Sequence, residues 1–594
     1  MHHPRSSHHG RGWDAWIGAV RAPRRAGTVK GAAGPQRPGR LLASTARHSA
    51  GWAILVAAAS VAGAIAVTAL PAVIGRAVDA ALSGTSGSRW VAVCAGVVLI
   101  IVASDALEEL ATGASGASGT GWLRRRLARH VLAAGPRMSR HFQAGDVVSR
   151  MVGGTTDAGR APAAGVMAIT SLIPVAAAPV ALVLIDPWIA AAFAGGLPLL
   201  ALLLRAFMAD TSRIMARYLR AQGAIAGRLL DALAGSRTIA AAGIVERESA
   251  RVLAPLEEMR ETGYATWRTV GRVSAQGTLL VPILQVVVLA AGGRELAAGH
   301  ITPGGLLAAS QYAVLGSGVG ALIGHLNRLA RAHAGATRAL ELMGVPPVVY
   351  GDRSLPSGAG RLELRGVTVR REGRPVLDDL DLVVPGGAVV AVVGRTGSGK
   401  SLLAALPGRL ADPDDGQVLL DGVPVGQVAR DELRRAVLYA FERPSLLGET
   451  VRDAIRFGLV APPDREVELA AVAACADPFI RRLPHGYRTP LAAAPMSGGE
   501  VQRLGLARTF AHAAGARLMI LDDATSSLDT ATEMQVSRSL TRQLDLTRLI
   551  VAHRAATAAR ADLVAWLDCG RLRAFGPHHE LWADPAYRAA FEPE

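Results

Sequence analysis

Apolar residues occur in two patterns. Up to about residue 345 they form long uncharged runs. Beyond it they form short segments cut by glycine and charge. The runs are Ala50–Gly75, Ala161–Ile185, Pro187–Leu204, Val273–Gly293 and Ile301–Gly324. A shorter one, Trp90–Ser104, carries the apolar block Val97-Val98-Leu99-Ile100-Ile101-Val102. A helix that crosses a bilayer needs about 20 mostly apolar residues. The pattern therefore predicts six membrane-spanning helices. Buried helices of a soluble domain rarely run so far without a charge.

Charge gives the spans a direction. The 594 residues carry 64 Lys+Arg against 48 Asp+Glu, a formal net charge of +16. Nine of the basic residues lie in positions 1–49. Residues 121–160 hold eight Arg and two Asp; residues 205–272 hold eleven Arg and seven acids. The loops on the opposite side are short and sum to zero. Basic loops stay in the cytoplasm, so both termini and both long loops are expected there, in a multi-pass protein of the plasma membrane. The positive excess is then topology, and nucleic acid is not expected as a partner. The three cysteines, Cys94, Cys475 and Cys569, are far apart and suggest neither a disulfide framework nor a metal site. Residues 1–45, with His2, His3, His8 and His9, read as a disordered basic tail without a cleaved signal. The long loops read as helical extensions of the spans, with glycine-marked breaks at Ala144–Arg150 and Ala234–Ile239. Asp105, Glu108 and Glu109 near the second span read as interface caps; Gln276, Gln285, Gln311, Tyr312 and Asn327 are polar groups that either line a pathway or bond helix to helix.

After a Pro-rich linker at Val345–Gly351 the period shortens. The strand-like segment Ala388–Val393 runs into Gly394-Arg395-Thr396-Gly397-Ser398-Gly399-Lys400-Ser401 and then Leu402. This strand, glycine loop and helix form a phosphate-binding loop. Its N–H groups face the phosphates, Lys400 reaches the β- and γ-phosphates, and Ser401 ligates Mg²⁺. About 120 residues later an apolar segment ends in Asp522-Asp523. Asp522 suits the metal, and Asp523 suits orientation of a water.

Six spans followed by such a domain resemble a half of an ABC transporter with the exporter-type fold. Met496-Ser497-Gly498-Gly499-Glu500 is similar to the family's signature motif. Ser526–Asp529 resembles its D-loop, and Val551-Ala552-His553-Arg554 its switch-histidine strand. Beyond the basic tail (1–45), the resemblance implies a six-helix transmembrane domain (46–344) and an α/β P-loop ATPase domain (345–594). It implies ATP and Mg²⁺ as cofactors, with Ser401, Glu442 and Asp522 on the metal and Asp523, His553 and Glu442 in catalysis. Two halves would pair head to tail, so that Ser497, Gly498, Gly499 and Glu500 serve the partner's nucleotide, with Asp529 in the D-loop. The two glycine-marked breaks resemble coupling helices.

The sequence departs from that pattern at several points. Asp523 stands where the family usually has Glu; the carboxylate falls roughly 1–1.5 Å short, and a misplacement of about 1 Å costs on the order of a hundredfold in rate. Glu442 replaces a Gln, Glu500 replaces a Gln, and Arg371 or Arg370 replaces the adenine-stacking Tyr. The stretch Thr489–Pro495 before the signature is shortened. These changes fit the degenerate half of a heterodimer, with a slow homodimer as the alternative. The Arg-for-Lys bias and the strings around Glu442 and Ser497 resemble actinobacterial half-transporters, some of which accompany lanthipeptide clusters. The expected function is ATP-driven export of a peptide or other amphipathic small molecule. Import through the same fold, and an ATP-binding regulatory subunit, are the alternatives.

Overall fold

The protein is described here by a computed structural model, which covers residues 37–84, 87–142, 144–196, 198, 221, 224–225, 227–229, 231–543 and 546–591. The four N-terminal histidines and the end of the Pro187–Leu204 run lie outside the described residues, as do the side chains of Gln276 and Asn327. The chain divides into two units. One holds residues up to Arg129 and Ala144–Gly344; the other holds His130–Gln143 and Val345–Glu594.

The first unit is helical. Its main elements are α1 (Ala50–Leu82), α2 (Gly87–Ala134), α3 (Leu256–Ala297), α4 (Pro303–Gly316) and α5 (Val319–Met343). Among the described residues, three helices are long and apolar enough to cross a membrane: Ala50–Leu82, Ser88–Ala134 and Ala144–Ile185. They contain the first three predicted runs. The last run is not continuous, because α4 and α5 are separated at Ser317-Gly318. Large apolar side chains such as Leu99, Leu110 and Leu184 point outward, as lipid contact requires. Small residues let helices touch. A Cβ on Gly304 would sit 1.9 Å from the Gly75 carbonyl oxygen, so α1 and α4 meet backbone to backbone. Asp79 seals that contact by accepting from Gly304 N (2.8 Å) and Thr302 Oγ1 (2.7 Å). Tyr312 donates to the Thr68 carbonyl (2.9 Å) and Gln285 to Ser310 Oγ (2.8 Å), so both bond helix to helix. Glu108 accepts from Ser60 Oγ of α1 (2.5 Å).

Two expectations change. The tail is helical from Pro38 to His48, because Leu41 and Thr45, one turn apart, are buried, Leu41 with Leu123 and Leu127. The first glycine-marked break is not at 144–150. Residues Ala144–Ser149 are helical and lead into a π turn at Arg150–Gly154. The chain breaks earlier, at Gly135 (φ +55°) and at extended Phe142, with the short helix Pro136–His141 between them. At the second break, Gly235 precedes the helix Ser236–Ala242, which ends at Gly243 (φ +65°).

The second unit contains two sheets. The antiparallel one holds β1 (Leu362–Arg371), β2 (Arg374–Val384), β4 (Asp415–Leu420) and β5 (Val423–Pro424), in the order β2-β1-β4-β5. The other holds β3 (Val389–Val393), β6 (Val437–Phe441), β7 (Leu518–Asp522), β8 (Thr547–Val551), β9 (Leu563–Asp568) and β10 (Arg571–Gly576), in the order β10-β9-β3-β8-β7-β6. All neighbours in the second sheet are parallel except β9 and β10. Strands buried on both faces read as unbroken apolar runs, which is why Val389–Val393 and Leu518–Leu521 lack alternation. One core joins the antiparallel sheet to β3, β7, β8 and the helix α6 (Lys400–Ala405). A second lies between β6, β7 and a group of helices that includes α7 (Gly498–Ala511).

Candidate nucleotide-binding site

Strand register builds the site. Val392 of β3 pairs with Val551 of β8, Val551 with Asp522 of β7, and Asp522 with Phe441 of β6. These residues form one row across four parallel strands. The residues just past the row are Gly394, His553, Asp523 and Glu442. Parallel α/β sheets bind ligands beyond the carboxyl ends of their strands. Four predicted positions, up to 160 residues apart in sequence, thus share one edge.

The glycine loop follows β3. Gly397 has φ +83° and Gly399 φ +98°, a region side chains rarely adopt. At Gly399 a Cβ would also lie 2.6 Å from Leu377 Cδ2 of β2, so the antiparallel sheet fixes the loop from beneath. Arg395, Thr396 and Gly397 are exposed, Gly394 and Ser398 are buried, and Leu402 packs on the core. Lys400 is buried and donates to the carbonyls of Gly394 (2.7 Å) and Arg395 (3.0 Å). Burial pushes its ammonium below the usual lysine range, while Asp523 and Asp522 oppose that shift.

Opposite the loop stand the carboxylates. Burial raises the carboxyl groups of Asp522 and Asp523 above the ordinary aspartate range, against opposing pulls from Ser401 on Asp522 and from His553 on Asp523. Asp523 has φ +52°, and its Oδ2 lies 3.1 Å from His553 Nε2. The Glu442 side chain is half exposed and lies within electrostatic reach of both aspartates. Among the described residues, Asp522 Oδ1 and Ser398 Oγ are buried and have no hydrogen-bond partner. An orphaned carboxylate oxygen beside the Ser401 hydroxyl fits a hard divalent cation that takes its remaining ligands from phosphate and water.

The other predicted residues lie apart from this group. Ser497 caps α7: its N–H and hydroxyl both donate to Glu500 Oε2 (2.8 and 2.9 Å). Among the described residues, no hydrogen bond joins Ser497–Glu500 to the glycine loop. Gly498 is open, whereas a Cβ on Gly499 would lie 3.1 Å from the Ser527 carbonyl oxygen. Asp529 Oδ2 accepts from Ala531 N (3.1 Å) and Thr532 N (3.0 Å) and so starts the next helix. Arg370 is engaged by Asp415 (2.6 Å), and Arg371 lies at the β1–β2 hairpin. Two residues were not assigned from sequence. Gln502 is fully buried between Glu442, Asp523 and Ser526. Tyr439 donates to the Ala404 carbonyl (3.0 Å) and accepts from Gly408 N (2.9 Å), which steadies the end of α6. A polar Gln amid apolar neighbours in the pattern of α7 was the available signal.

Comparison with known proteins agrees with this geometry. The family described as "ABC transporter" matches residues 377–526, and "ABC transporter transmembrane region" matches residues 53–318. The ABC transporter ATP-binding protein RamA of Streptomyces coelicolor is 48% identical over 559 residues, covering 94% of this chain and 86% of that protein. The chain belongs to the ABC transporter family. This half-transporter is also 36% identical over 325 residues to an ATP-dependent lipid A-core flippase of Pseudomonas putida, covering 52% of this chain and 54% of the flippase. Its fold matches a bacterial Atm1-family ABC exporter with ATP bound, at a TM-score of 0.76 and 24% identity over 92% of this chain and 98% of that one. The transporter is a membrane protein whose ATPase domain binds ATP and couples its hydrolysis to transport.

Proposed function

We propose that this half-transporter exports a peptide or other amphipathic small molecule from the cytoplasm across the plasma membrane, as one half of a heterodimer. In this reading its own Walker-side site is degenerate. Both termini and the ATPase domain (345–594) are cytoplasmic, and 46–344 form the six-helix transmembrane domain. The observation that carries the reading is Asp523. It is the shorter acid, it is held by His553 at 3.1 Å, and burial keeps its carboxyl above the ordinary range. An acid one methylene shorter and already engaged by His553 sets the water back from the productive place, and a misplacement of about 1 Å costs on the order of a hundredfold in rate.

Within one nucleotide site, Gly394–Ser401 and Leu402 cradle the phosphates, Lys400 neutralises them, and Arg371 stacks on the base. Ser401, Asp522 and Glu442 hold Mg²⁺, which supplies charge neutralisation at the phosphates. Asp523 and His553 orient the attacking water. Ser497, Gly498, Gly499, Glu500 and Asp529 close over the partner half's nucleotide. The substrate class is supported by the likeness to a Streptomyces relative and by the charge-poor spans.

The test is ATPase activity in lipid nanodiscs, for the chain alone and paired with a second half-transporter. The mixed pair is expected to be active and indifferent to Asp523→Asn. Activity of the lone chain that Asp523→Asn abolishes would sink the degenerate-half reading.

A further inference from the structure

Gln502, the fifth residue of α7, is a neutral side chain, 1% exposed. Its Oε1 accepts from Ser527 N at 3.0 Å. A backbone N–H can only donate, so this bond fixes the orientation of the carboxamide. Its Nε2 then points at the Asp523 carbonyl (3.0 Å), with the Glu442 carbonyl and Ser526 Oγ each at 3.2 Å. The Asp523 carbonyl also accepts from Ser526 N (3.1 Å), so both its acceptor sites are used. A non-glycine residue at φ +52° persists only where its surroundings over-determine it. Here they do: one amide joins the end of β7, the residue after β6, the turn leading to Asp529 and the helix that begins at Ser497.

We infer that Gln502 is a positioning residue that locks the carboxylate end of β7 to the signature helix and the Asp529 turn, so that ATP turnover depends on its carboxamide while ATP binding does not. The inference rests on the reading above that Ser497 and Asp529 serve the partner half's nucleotide. It concerns both sites to which this chain contributes, so it holds for a homodimer and for a mixed pair. Among the described residues, Lys400 and the glycine loop make no hydrogen bond to Gln502, so nucleotide affinity is expected to be spared.

The experiment uses the full-length dimer that hydrolyses ATP, in nanodiscs, with kcat and KM for ATP measured for Gln502→Met, Gln502→Glu and Ser497→Ala. Gln502→Met keeps the volume and removes every hydrogen bond. Its kcat is expected to fall about tenfold to a hundredfold with KM within about twofold. In Gln502→Glu the protonated acid can still donate to the Asp523 carbonyl and accept from Ser527 N, whereas the ionised form cannot donate. The ratio of its rate to wild type is expected to rise as pH falls from about 8 to about 6. Asp522, Asp523, Glu442 and His553 are common to both proteins, so the ratio isolates position 502. Gln502→Met with kcat within about twofold of wild type, while Ser497→Ala is inactive, overturns the inference alone. Silence of both variants overturns the partner-site reading as well. If Gln502→Met does not fold, a pH-independent ratio for Gln502→Glu overturns the inference.

Discussion

Gly399 shows how one residue can decide whether the site exists. Its backbone is left-handed and Leu377 occupies the place of a side chain. Gly399→Ala meets both obstacles at once, with a cost on the order of 1–3 kcal/mol of local strain. ATP affinity, read with a fluorescent nucleotide, is expected to fall roughly 5- to 150-fold, since each 1.4 kcal/mol is tenfold. Glu500 makes a different prediction. The Ser497 N–H, above all, holds its carboxyl below the usual glutamate range. A depressed carboxyl contributes stability that is present above its unfolded value, about 4.3, and is lost as pH falls through its folded value. The wild-type unfolding midpoint is therefore expected to drop more between about pH 5 and about pH 3 than that of Glu500→Gln. Equal slopes would show that the cap carries no such linkage.

Among elements, contacts separate what local pattern reveals from what it hides. The loop from Gly394 to Ser401 was legible because strand, turn and helix are contiguous and each needs its residue type. The pairing of Asp523 with His553 was legible only through family resemblance, because 30 residues separate them. Gln502 carries no legible role in the sequence, since its partners lie 21 to 60 residues away. The break before 144 was missed because Gly145-Asp146 drew attention from Gly135-Pro136, a stronger interrupter: proline disfavours helix in the residue before it. Packing of α1 on α4 was equally hidden, since glycines in apolar runs look alike. Gly304→Val should force those helices apart and lower the yield of folded protein. Gly51→Ala, at a position with no neighbour within 4 Å, should not. Size-exclusion profiles in detergent compare the two; equal monodisperse yields would refute the tight contact.

At the scale of the whole molecule, the ATP-binding unit includes a piece contributed from far upstream. His130 Nε2 lies 2.9 Å from the Val345 carbonyl, Arg140 donates to the Leu410 carbonyl at 3.2 Å, and Arg137 pairs with Asp412. Met138 is buried in the same unit. An investigator who wanted a soluble ATPase for crystallisation or screening would naturally begin the gene fragment at Val345. That fragment would leave the Val345 carbonyl without His130 and Asp412 without Arg137, where residues 130–142 belong. It is expected to unfold at a lower temperature than the same fragment with 130–143 joined to its N-terminus through a flexible tether, as differential scanning fluorimetry would show. The practical start of this enzyme fragment is therefore discontinuous in the gene.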